Sequence, residues 1–81
     1  MRYDVDTFNC VDFTSEAGHW FSKIGITAHQ VVGKEKDSTA RHSWVGIDVF
    51  GYIWHFEPQR FVFFNPEEDY TEITLNNRTI T

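Results

Sequence analysis

Eighty-one residues set an upper limit of one domain, residues 1–81, and a chain this short buries a comparatively small fraction of its surface. Three Trp, three Tyr and eight Phe offset that with much apolar area per residue. The formal net charge of −5, from seven basic and twelve acidic residues, argues against binding to nucleic acid or an acidic membrane, which needs clustered Lys and Arg.

No segment approaches the length of a membrane span. Cys10 is the only cysteine, so an internal disulfide is impossible and stability must come from the core, with a homodimer as a further source. A lone thiol suits a reducing compartment. Met1 to Asp6 carries no apolar run of signal-peptide length. The expected location is therefore the cytoplasm.

The first periodic stretch runs from Cys10 to Ile24. Cys10, Phe13, Ala17, Trp20 or Phe21, and Ile24 recur every three or four residues, as on one face of an α-helix. Asn9, Thr7 or Asp6 can cap its start and Gly25 can end it. Gly18 inside it costs ~1 kcal/mol relative to Ala, which points to close packing against a neighbour. Cys10 falls in the first turn, on the apolar stripe.

Ile26 to Val32 reads as a strand, and Gly33 to Arg41 as a polar loop. His42 to Val49 and Tyr52 to Glu57 form a hairpin about Phe50-Gly51, and Pro58 ends it. Phe61 to Phe64 is a short strand, Asn65 to Asp69 a turn, and Thr71 to Leu75 a last strand. The tail from Asn76 is expected to fray. The fold class is α+β: the Cys10 helix on a mostly antiparallel sheet of four or five strands.

The hairpin makes a geometric prediction. With a two-residue loop, Val49 faces Tyr52 and Trp44 opposes Glu57. His42 then lies one diagonal step away on the face of Glu57. A three-residue loop would separate them.

Those positions carry chemistry. A thiol, a histidine and a carboxylate are the parts of a nucleophile, its base and the group that orients the base. A helix N-terminus and an adjacent imidazolium lower a thiol pKa from its free value near ~8.5. Histidine takes the thiol proton and later donates it to a leaving group. A carboxylate fixes the imidazole tautomer.

The ordered motifs also resemble a known family. Cys10-Val11-Asp12-Phe13 is similar to a nucleophile and first helical turn. Trp20 to Gly33 contains Gly25-Ile26-Thr27-Ala28-His29-Gln30-Val31-Val32, similar to a Gly-Ile-Pro-Ala-Arg-Val-Val pattern. His42-Ser43-Trp44-Val45 is similar to His-Ala-Trp, and Trp54-His55-Phe56-Glu57-Pro58 to Trp-x-x-Asp-Pro. Together they resemble the core of the transglutaminase-like superfamily, within the papain-like cysteine protease fold, over roughly Cys10 to Gln59.

The resemblance implies Cys10 as nucleophile, His42 as base and Glu57 as orienting acid, with Glu where that family has Asp. It implies acyl transfer on a peptide or protein substrate without a cofactor. The Cys10 backbone amide is one candidate oxyanion donor, and Gln30, Asn9 or an upstream backbone amide another.

Competing readings attach to the same residues. His55 shares the expected face of Glu57 and competes with His42 for it. Cys10, His42, His55 and Glu57 could together ligate zinc. His19 and His29 read as surface residues, and Trp44 and Trp54 as core. A non-enzymatic interaction module could keep the same fold.

Overall fold

The computed structural model describes the backbone of residues 7–81 and the side chains of residues 12–81. Helix α1 spans Thr7–Lys23, so Thr7 and Asn9 lie within it rather than before it. Asp6, the third capping candidate, is outside the described residues. Gly25, at φ 85°, ends the helix as expected. The Ile26 amide donates to the Phe21 carbonyl at 2.9 Å and the Gly25 amide to the Ser22 carbonyl at 3.0 Å. This paired closure satisfies carbonyls that the last helical turn would leave open.

Five strands follow: β1 (Thr27–Glu35), β2 (Arg41–Val49), β3 (Tyr52–Glu57), β4 (Val62–Phe63) and β5 (Tyr70–Thr79). They form one antiparallel sheet in the order β4-β3-β2-β1-β5. The architecture is α+β, a helix on a five-stranded antiparallel sheet. A 3-10 helix, Pro66–Glu68, occupies the expected turn before β5, and the Asn65 side chain caps it by accepting from the Glu67 amide.

Several boundaries differ from the sequence reading, three of them by more than a shifted end. β1 continues through Gly33, where a Cβ would come within 2.7 Å of the Trp44 ring. Glycine there is a gap filled by indole rather than the start of a loop, and the loop shrinks to residues 36–40. Phe61 stands outside β4 at φ 56°. The tail does not fray: β5 reaches Thr79, which pairs with His29, and the Ile80 amide donates to the Ala28 carbonyl at 2.8 Å. His29 is therefore no bystander. Its Nδ1 lies 2.9 Å from the Asn76 carbonyl and 3.2 Å from that of Arg78.

The helix rests on β1 and β2. Ala28, Val45, Ile47 and Phe56 form the buried cluster beneath it, with Ala17, Phe21 and Ile80 packed against them. Among the described helix residues Thr14 and Gly18 are buried, while Phe13, Trp20 and, just past the helix, Ile24 are exposed. The expected stripe thus holds at Ala17 and Phe21 and fails at Phe13 and Ile24. Ile80 explains Gly18, since a Cβ there would meet Ile80 carbons at 2.4–2.8 Å.

Candidate functional site

Strand alternation sorts the side chains of β2. Ser43, Val45 and Ile47 face α1; His42 and Trp44 face the other way. The helix side holds a polar relay, in which Gln30 Nε2 donates to Ser43 Oγ at 3.2 Å and Ser43 Oγ donates to Thr14 Oγ1 at 3.1 Å. Gln30 thus lies on the helix side, with one amide hydrogen given to Ser43. This relay also fixes the direction of α1. Thr14 sits over Ser43, near the start of β2. Gly18 sits against Ile80, whose amide bonds Ala28, the partner of Ile47.

The hairpin register is the one expected from a two-residue loop. Val49 pairs with Tyr52 and Val45 with Phe56. Phe50 and Gly51 both take positive φ, 53° and 84°, the twist that suits a two-residue hairpin. The Asp48 carboxylate braces the loop by accepting from the Gly51 amide at 3.1 Å.

That register joins two of the three candidates. His42 Nε2 donates to Glu57 Oε1 at 2.5 Å. Both side chains are mostly buried, 15% and 11% exposed, which limits solvent screening of the pair. Glu57 Oε2 accepts from the Gln59 amide at 3.1 Å. The Glu57 carbonyl accepts from the Arg60 and Phe61 amides at 3.3 and 2.8 Å. The tight turn after β3 therefore fixes the carboxylate.

The imidazole of His42 is also held from the side. Tyr70 lies parallel to it, 11° between planes and 5.8 Å between centroids. Trp44 packs against Tyr70 at 4.7 Å and Phe64 at 5.3 Å. Tyr70 was missed by sequence reasoning because its partner is on the opposite side of β1 in the sheet, and local patterning carries no such signal.

His55 does not compete for Glu57. Trp44 Nε1 donates to its Nδ1 at 2.9 Å, so that nitrogen must carry a lone pair. Burial pushes the His55 imidazole below its ordinary value, and Glu67 pulls it partly back. This bond also takes His55 away from a zinc set with His42 and Glu57. Among the described residues, no group of three His, Cys, Asp or Glu side chains could hold a metal ion.

His42 and Glu57 open onto a cleft of about 480 Å³ shared with Arg41, Arg60, Phe64 and Tyr70. Arg41 is tied to Glu72 at 3.2 Å. Cys10, the third candidate, occupies the fourth position of α1; its side chain lies outside the described residues. The pair thus sits at the end of the sheet over which the helix begins, on the face opposite the helix. Among the described residues, no helix is long and apolar enough to cross a membrane. No family model matches the chain, and no match was found among the curated proteins or the solved structures.

Proposed function

We propose that this chain is a thiol hydrolase acting on peptide or carboxamide carbonyls, on a minimal transglutaminase-like, papain-like core. In this reading Cys10 attacks, His42 moves the proton and Glu57 orients the imidazole. The observation that carries it is the His42–Glu57 pair. Donation from Nε2 to the carboxylate gives the neutral ring its lone pair at Nδ1, the tautomer a general base requires. Position 10 precedes Thr14 by one helical turn, and Thr14 is bonded to the neighbour of His42. The helix head therefore extends toward the start of β2, and the reading requires it to bring the thiol around the sheet end.

The steps balance without a cofactor. Nδ1 of His42 takes the Cys10 thiol proton as sulfur adds to the carbonyl carbon. The C–N bond then breaks, and the imidazolium returns its proton to the departing amine. Water attacks the thioester, His42 takes its proton, and the carboxylic acid leaves as sulfur recovers a proton. Hydrolysis is favoured over transfer to an amine because water is always present. The cytoplasm is the compartment in which such a thiol stays reduced.

An activated ester tests the chemistry. At about pH 6, where a free thiol near ~8.5 is almost wholly protonated, intact-mass spectrometry should find an acyl group on Cys10 of the wild type. It should find none in Cys10→Ala and much less in His42→Ala. Equal acylation of wild type and His42→Ala would refute the assignment. The second reading, a binding module that keeps the fold, is favoured by the exposed aromatic face described next.

A further inference from the structure

α1 covers β1 and β2 and leaves the same face of β3 and β4 open. That open half is apolar. Phe13, Trp20 and Ile24 on the helix are 40%, 61% and 70% exposed; Trp54, Phe61 and Phe63 are 54%, 82% and 54% exposed. They are continuous through Phe56, whose ring lies 5.8 Å from Phe61 and 5.1 Å from Phe63. Trp54 extends the run beyond Phe63 at 6.5 Å. Between helix and strands lies a groove of about 520 Å³.

We infer that this face is the interface of a homodimer, with a second copy of the chain as its occupant. The size of the patch argues for it. At ~150–250 Å² per aromatic side chain, these exposures leave roughly 500–800 Å² of apolar surface. The largest patch on a monomer is typically ~300–600 Å², whereas a stable interface takes ~800 Å² from each partner.

A twofold interface demands a self-complementary surface. A groove between α1 and the turn after β3 lies on the same face as the exposed Trp54–Phe63 pair, so one copy's aromatic pair has the other's groove to enter. Glu16 lines the groove, and Lys23 stands over Trp20 with its amine 5.3 Å from the ring. The rim thus carries one charge of each sign, and an opposite pairing is open to a twofold contact. The other free edge, β5, is a poorer candidate: its exposed side chains are Thr, Glu, Asn and Arg, and two register shifts interrupt its pairing, features that blunt an edge against further strands.

Sedimentation velocity of the full chain, from roughly 1 to 300 µM, should give a species of twice the 9.5 kDa chain mass. Trp54→Lys and Trp20→Lys, both at exposed positions, should each weaken the dimer at least tenfold. Asn77→Lys on β5 should leave it intact. Dilution of the wild type should also increase acrylamide quenching of the tryptophans, because Trp20 and Trp54 become accessible while Trp44 is fully buried. This readout needs no variant to fold. A monomer throughout the range overturns the proposal. So does a dimer that survives both tryptophan changes, or one that Asn77→Lys dissociates. Quenching that stays constant while sedimentation shows the dimer dissociating points to another occupant, such as the chain's own first residues, and equally overturns it.

Discussion

Glu57 is the residue on which the site turns. Its two oxygens accept from His42 and from the Gln59 amide in a mostly buried position. Glu57→Ala removes both acceptors, and each stranded donor costs ~1–3 kcal/mol where water cannot replace the partner. Urea denaturation should therefore show a clear loss for Glu57→Ala and a smaller one for Glu57→Gln, which retains an acceptor. A neutral Glu57→Ala would mean that the pair is already solvated.

His55 should confer acid sensitivity. Its folded pKa is lowered, mainly by burial, so between that value and the ordinary ~6.5 the unfolded chain binds more protons. Its contribution to stability is full above about 6.5 and is lost as pH falls toward the depressed value. Denaturation midpoints across that window should fall with pH in the wild type and fall less in His55→Gln. Equal slopes would show that the burial of His55 does not govern the acid sensitivity.

These residues differ in how far the sequence revealed them. His42 and Glu57 are joined by a short hairpin, and a two-residue loop at Phe50-Gly51 determines which side chains meet. The Trp44–His55 bond lies in the same hairpin, one diagonal step across it, but side-chain chemistry rather than register decides that Trp44 takes His55 from Glu57. Nothing local determines that Tyr70 stacks on His42, which depends on β5 folding back beside β1.

At the scale of elements, the contact between α1 and the end of β5 matters most. Gly18→Ala should gain ~1 kcal/mol in helix propensity. The new Cβ would overlap Ile80, and overpacking costs ~1–3 kcal/mol, so the net effect should be destabilising. Pairing it with Ile80→Ala should give a variant more stable than the sum of the two single changes. Additivity in that double-mutant cycle would show that Gly18 and Ile80 do not touch.

The glycine inside the helix announced a close neighbour but could not say which. The neighbour comes from a polar C-terminal stretch expected to fray as a chain end. Main-chain pairing with β1 and the partly buried Ile80 hold it in place.

For the whole molecule, the coarse class was legible because helical and alternating periods differ. The coverage of the sheet was not. Alternation in Tyr52-Ile53-Trp54-His55-Phe56 marks a face for burial, yet Trp54 is exposed since one helix spans only part of the sheet. A homodimer would restore the burial that the alternation leads one to expect.

The central claim is a Cys10 thiol activated by the His42–Glu57 pair, and its most direct measure is the rate of alkylation by iodoacetamide against pH. Chelator should be present throughout, with wild type and His42→Ala compared. The account predicts a thiolate that reacts well below the free-cysteine range near ~8.5, and a profile that returns to that range in His42→Ala. The same slow thiol, titrating at or above ~8.5 in both proteins, would contradict it.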